Sequence, residues 1–412
     1  MDTIAHGLRD PAVEEFKTET LLKNAARQAR DRHFEDLFIV DVDAHHYETE
    51  SLSQIVEYME DPVLRHLAKG GRKGSTANIM VNTPGFQDMG GRITRYSKRF
   101  TEKTPDKPHR DVTLTRRWMD AMGTDMVCLF PTPMLQLGLH PQVEVEVAMA
   151  RAYNKWLVET VLKEDPRITS MLYLPFNNPE ASYQMVKDFA GQKGVVGFVV
   201  TAVRYKPVYD NAFMKLYGLL EEAGLPLAFH AGYNWMDRAL GMTNRFMTAH
   251  ALGFTVYNMI HLTNWLVNGL PERFPKLKVV WIESGLAWIP FLMQRLDNEY
   301  MMRSSECPGL KRKPSEYMRE MYYSTQPMEM VDNQEALELT FKMINAETQL
   351  MYSSDYPHWD MDLPNTIYDL PFLSEQAKRN ILGGNAQRVF NLEPVLSDWK
   401  IEARKARGAG AG

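Results

Sequence analysis

The feature that most limits this chain is a repeated unit. A short apolar run, rich in β-branched residues, ends in polar residues and gives way to a helical pattern. The first run is Leu37 to Val42, in "LFIVDVDAHHYE". Others begin at Thr124 ("TDMVCLFPTP"), Ile168 ("ITSMLYLPF"), Gly194 ("GVVGFVVTA"), Pro226 ("PLAFHAGY") and Leu277 ("LKVVWIESG"). A weaker one starts at Met321 ("MYYSTQP"), and the last at Thr348 ("TQLMYSSDYP"). Apolar runs of this length read as parallel strands buried on both faces. Helical patterns lie between most of them, at 143–163, 179–189, 212–222 and 333–344. Strand alternating with helix implies crossovers between parallel strands, and eight such units predict an α/β chain closed into a (β/α)8 TIM barrel. A doubly wound sheet is the runner-up, but no G-x-G-x-x-G follows any of the strands.

A chain of 412 residues exceeds the usual single core, yet one barrel with insertions absorbs that length. Residues 1–36 are polar and Ala-rich and read as a helical N-terminal extension. The barrel then spans 37–395, with insertions at 50–112 and 299–318, and 396–412 forms a C-terminal tail. Loops of such size commonly serve as lids or oligomer contacts. The basic residues Lys400, Arg404, Lys405 and Arg407 read as the solvated face of a terminal helix.

Composition removes several classes. Net charge is -5 and no basic stripe stands out, which argues against nucleic acid as a partner. Two cysteines, Cys128 and Cys307, are too few for a disulfide framework and do not match a Cys-based zinc site. No apolar stretch approaches a membrane span, and the N-terminus lacks a signal peptide's apolar core. The expected location is the cytoplasm.

The residues able to do chemistry sit at the C-terminal ends of the predicted strands, which converge on one rim in a barrel. Asp43, His45, His46 and Glu48 follow the first strand, His230 ends the fifth, Glu283 the sixth and Asp355 the eighth. Carboxylates and imidazoles gathered on one rim form a ligand set for a divalent cation, which would relieve the repulsion between the acids.

Five segments carry a family resemblance: "DVDAHHYE", "FHAGY", "GLPERFPKLKVVWIESGLAWIPFLMQRLD", "SSDYPHWD" and "ILGGNAQRVFNL". From about Val40 to Leu392 the chain resembles the amidohydrolase superfamily, in the amidohydrolase-2 branch of aminocarboxymuconate-semialdehyde and γ-resorcylate decarboxylases. That resemblance implies a metal held by Asp43, His45, His230 and Asp355, with Asp355 also moving protons. The ion would be Zn2+, Mn2+ or Fe2+, one per chain, with open positions for water and substrate. The branch's decarboxylases carry a His at the sixth strand, whereas this chain has Glu283. A helix over "HALGFTVYNMIHLTNW" sets His250, Phe254, Tyr257, Asn258 and His261 on one face. His261 (or His46) with Glu48 and Glu283 would then make a second metal position. Arg204 is a candidate grip for a substrate carboxylate, Trp235 and Trp359 for an apolar wall, and His358 for orienting Asp355. Trp288 reads as core.

These readings predict a hydrolase or carboxy-lyase acting on a small carboxylate or carbonyl compound, with Asp355, Glu283 and His261 as catalytic candidates. Its partners are expected to be a small-molecule substrate and further copies of the chain, or a related subunit. The alternatives are a dinuclear iron or manganese oxygenase on the same barrel, and a non-catalytic partner subunit.

Overall fold

The computed structural model describes residues 18–70, 104–105, 107–203, 206–232, 234, 237–243, 246–329, 333–358 and 360–409. Eight strands follow one another in space as they do in sequence: β1 (Val40–His46), β2 (Met126–Pro131), β3 (Ile168–Tyr173), β4 (Val195–Thr201), β5 (Leu227–His230), β6 (Val279–Ile282), β7 (Tyr322–Ser324) and β8 (Leu350–Met351). Each neighbouring pair is parallel. Backbone bonds between β1 and the segment leaving β8 complete the ring: Val42 N–H donates to Tyr352 O at 3.0 Å, Asp355 N–H to Asp43 O at 2.8 Å and His45 N–H to Tyr356 O at 2.7 Å. The closed TIM barrel predicted above is the observed fold.

Strand alternation sorts the apolar side chains into two layers. Val40, Val42, Met126, Cys128, Phe130, Met171, Val199, Ala228, Val280 and Ile282 pack together inside the ring. Val127, Leu129, Leu172, Phe198, Val200, Phe229, Trp281 and Leu350 point outward and pack with the surrounding helices. The crossovers are carried by α2 (Arg110–Met122), α3 (Val143–Leu157), α4 (Pro179–Phe189), α5 (Met214–Ala223), α6 (Phe246–Val267), α7 (Trp288–Arg303) and α8 (Gln334–Met343), with α1 (Thr18–Asp31) before the barrel and α9 (Asp398–Ala409) after it. Local chemistry sets their limits. The Asn178 side chain accepts the Ala181 amide at 3.0 Å and Pro179 opens α4, while α2 ends on Gly123 at φ 77°.

The C-terminal segment departs from the solvated face expected for it. Lys400 is fully buried. Its Nζ donates to Asp125 Oδ2 at 2.6 Å and to Leu37 O at 2.9 Å. Asp125 also accepts Ile39 N–H at 2.8 Å and Ser397 N–H at 3.2 Å. The tail thus packs against the lower end of the barrel, beneath β1 and β2, and a buried ammonium survives there because a carboxylate and a carbonyl accept from it. Among the described residues no helix is long and apolar enough to cross a membrane.

Candidate metal centre

At the opposite, C-terminal rim the strands bring Asp43, His45, His230 and Glu283 together, each offering a ligand atom within 4.8 Å of the others. A second group, His45, Asp355 and His358, meets the same limit and shares His45. All six side chains are buried. His45 Nε2 lies 3.2 Å from Asp43 Oδ1 and 3.3 Å from Asp355 Oδ1. His230 Nε2 lies 3.3 Å from the same Asp43 oxygen, and its Nδ1 is 3.5 Å from Glu283 Oε2.

The backbone aims these groups. His45 Nδ1–H donates to Pro131 O at 2.8 Å, and His230 Nδ1–H to Ala231 O at 2.9 Å. Each bond turns Nε2 toward the cluster, the tautomer that a metal-binding imidazole needs. Glu283 and Asp355 adopt left-handed backbone, at φ 57° and 54°. For residues with a Cβ this costs on the order of 1–3 kcal/mol and persists where the surroundings enforce it. Glu283 N–H donates to Ser324 Oγ at 3.0 Å. Two residues on, Gly285 has φ 75°, and the Leu286 amide donates to both Glu329 oxygens at 3.0 and 3.2 Å. His358 Nδ1–H donates to Asp355 Oδ1 at 2.6 Å, and His358 Nε2 stands 3.4 Å from Thr132 Oγ1.

Charge is distributed unevenly across the cluster. Burial pushes the Asp43 carboxyl up, but His230 and His45 more than offset this and hold it ionised. Burial pushes His230 down, but Asp43 and Glu283 outweigh it and favour its protonated form. His45 is lowered by burial despite Asp43. Asp43 Oδ2 and His45 Nε2 are buried without a hydrogen bond. Buried polar atoms left so, aimed into one cluster of carboxylates and imidazoles, fit a divalent cation that would take over the place of the His230 proton.

Other candidates lie elsewhere. Glu48 sits behind the rim, where Oε2 accepts Thr132 N–H at 2.9 Å and Oε1 accepts Met134 N–H at 2.6 Å. Burial raises this carboxyl to about 7, against His46 and those amides. Glu48 therefore pins the loop after β2 and is not brought to Glu283. His261 faces the outer layer: Nε2–H donates to Ala202 O at 2.7 Å and the ring stacks on Phe229, which points out of the barrel. The helical turns that bring Phe254 and Tyr257 against Ala202 and Ala231 carry His261 past the mouth. His46 also points outward, between Asp111 at 3.1 Å and the Tyr153 hydroxyl at 2.8 Å. The second metal position built from Glu48, Glu283 and His261 or His46 is thus not assembled. His250 Nε2 lies 3.5 Å from Asp360 Oδ2. Trp288 is core, its Nε1–H donating to Gly285 O at 2.9 Å. Arg204, Trp235 and Trp359 lie outside the described residues.

Asp41 and Ser354, which are not among the expected site residues, lie just behind the cluster. Asp41 Oδ1 accepts the amides of Asp43 at 3.1 Å and Ser354 at 2.9 Å. Burial raises Asp41 to about 7, against its bonds to Ser354. The available signal was a lone charge inside the apolar run before Asp43.

Comparison with known proteins agrees with this fold. The 2-amino-3-carboxymuconate-6-semialdehyde decarboxylase of Dictyostelium discoideum is 21% identical over 274 residues, covering 66% of this chain and 74% of that protein. A γ-resorcylate decarboxylase of Rhizobium sp. is 23% identical over 300 residues, covering 69% and 88%. Among solved structures, 5-carboxyvanillate decarboxylase from Sphingomonas paucimobilis shares the fold with a TM-score of 0.61 at 22% identity, covering 87% of this chain and all of that one (100%). A dihydroxybenzoic acid decarboxylase from Polaromonas sp., with bound manganese and 2-nitroresorcinol, has a TM-score of 0.62 at 18% identity, covering 86% and 97%. The family model for amidohydrolases matches residues 42–392, from β1 to beyond β8. With the match covering all but the first two residues of β1 and every later strand, the chain belongs to the amidohydrolase family.

Proposed function

We propose that this protein is a metal-dependent carboxy-lyase that removes a carboxyl group from a small organic acid. The observation that carries the reading is the convergence of Asp43, His45, His230, Glu283 and Asp355 on one buried rim. The named relatives, all decarboxylases, support the direction of the chemistry. A mixed carboxylate and imidazole set suits Mn2+, Zn2+ or Fe2+. Manganese is favoured because it is bound in structures of two similar enzymes, the Polaromonas enzyme and the 5-carboxyvanillate decarboxylase of Novosphingobium aromaticivorans. One ion per chain fits the two groups that share His45 among the described residues. When bound, it would polarise a substrate oxygen and acidify a coordinated water.

The residues around it divide the remaining work. Asp43, His45, His230 and Asp355 would hold the ion. Asp355, fixed through Oδ1 by His358, takes up the substrate's acidic proton at Oδ2, the oxygen not bonded to His358. Glu283 stands where the resemblance puts an imidazole in the decarboxylases, so here a carboxylic acid delivers the proton that replaces the lost carboxyl group. We place the protein in the cytoplasm as an assembly of several copies of the chain. Its unpaired cysteines, one of them buried, accord with a reducing compartment.

The test is carbon dioxide release from a panel of small acids, including 2,6-dihydroxybenzoate and 5-carboxyvanillate, by manganese-loaded protein. Turnover that falls about a hundredfold in Glu283→Gln is the expected result. A loaded protein inert toward the whole panel would contradict the carboxy-lyase reading.

A further inference from the structure

The geometry points to Asp41 as the positioning residue that turns Asp43 and His45 into the barrel, an inference that rests on the metal reading above. In a regular strand, side chains alternate between the two faces. Val40 and Val42 lie inside the ring, with Met126 and Cys128 of β2. Continued alternation would send Ala44 and His46 inward, and Asp43 and His45 out among the helices. The pairing of β1 with β2 shows why this does not happen. Asp41 lies opposite Val127 and Ala44 opposite Leu129, so three steps along β1 match two along β2. Val42 and Asp43 share the place opposite Cys128. This is a β-bulge, and one extra residue reverses the phase of everything after it. Ala44 then packs in the outer layer and His46 meets Tyr153, while Asp43 and His45 face the mouth.

A bulge leaves a backbone amide out of step with the ladder, and a buried amide needs an acceptor. The Asp43 amide finds Asp41 Oδ1 at 3.1 Å. The same oxygen accepts the Ser354 amide at 2.9 Å, and Asp41 Oδ2 accepts the Ser354 hydroxyl at 2.5 Å. Ser354 Oγ in turn accepts the Tyr356 amide at 3.0 Å, and Asp43 O accepts the Asp355 amide. One fully buried carboxylate therefore ties together the two segments that carry Asp43 and Asp355. If packing alone mattered, an apolar β-branched residue would serve at this point without the cost of burying a charge. The acid supplies acceptors on both sides of a junction between first and last strands, where each segment delivers one ligand.

The experiment compares Mn2+ affinity and metal-free thermal unfolding in the full chain for wild type, Asp41→Ala, Asp41→Asn and Ser354→Ala. Asp41→Ala is expected to weaken Mn2+ binding by about 10–100-fold in the folded protein. Asp41→Asn keeps an oxygen for the two amides and is expected to recover most of the loss. A residue that merely stabilises the fold would move the unfolding midpoint and leave the affinity of folded molecules alone. A folded Asp41→Ala that binds Mn2+ as wild type does overturns the inference. Should that variant fail to fold, Ser354→Ala decides: weakening of roughly fivefold supports the role, and unchanged affinity overturns it. A wild-type protein that binds no divalent ion overturns the metal reading and this inference together, whereas wild-type binding with every variant unchanged overturns only the latter.

Discussion

At the lower end of the barrel Asp125 meets a full set of partners, whereas at the upper end Asp43 does not. Asp125 takes an ammonium and two backbone amides across both of its oxygens. Asp43 is equally buried, yet its Oδ2 has no hydrogen bond and its Oδ1 is shared between two imidazoles. The backbone differs too, since Glu283 and Asp355 at the upper rim sit in left-handed conformations. Charge that the protein satisfies with its own groups stabilises a fold. Charge left incompletely satisfied, beside residues on strained backbone, is held ready for something that comes from outside. The two ends of one barrel thus separate stability from function, as this architecture generally does.

Three substitutions or titrations break or sharpen that contrast. The largest effect is expected from His230→Ala, which removes a ligand outright. Mn2+ affinity should fall by more than about a hundredfold and turnover should vanish, while circular dichroism shows an intact barrel. Loss of the fold instead would mean that the upper rim also carries stability. Next comes Asp125→Ala, which strands the Lys400 ammonium at the lower end. A cost of about 3–5 kcal/mol is expected in denaturant unfolding, with Mn2+ affinity unchanged. Weakened metal binding in that variant would show that the two ends are coupled.

The smallest effect is a pH slope. Burial lowers Lys400 from its ordinary 10.5 to about 8, against the pull of Asp125. Between those values the unfolded chain holds more protons than the folded one. The Lys400 contribution to stability therefore rises as pH climbs through that window. Unfolding free energies of wild type and Lys400→Met, measured from pH 8 upward, should diverge in that sense. Parallel curves would place the ammonium in a wetter setting than the packing described here.

What could be read in the sequence follows from the range of the interactions involved. The strands were legible because each is a local apolar run, and even two-residue β8 sits within "TQLMYSSDYP". The rim was legible because strand ends converge in any such barrel, so Asp43, His45, His230, Glu283 and Asp355 meet as their positions suggest. Orientation was harder. His261 shares a helical face with Phe254 and Tyr257, but the rotation and depth of α6 against β5 depend on packing that no local pattern records. Glu48 looked like a ligand because it follows β1, and its partners, Thr132 and Met134, arrive from a loop more than 80 residues away. The bulge that rephases β1 requires β2 to be seen beside it. Lys400 read as solvated because its acceptor, Asp125, lies 275 residues earlier.

The central claim is that the upper rim is built around a cation. The most direct test is metal content and Mn2+ stoichiometry of the purified chain, measured for wild type and for His230→Ala combined with Asp355→Ala. A single tightly held divalent ion per chain, lost in the double variant, is the predicted result. No ion in the wild type, or the same ion retained after both ligands are gone, would contradict it.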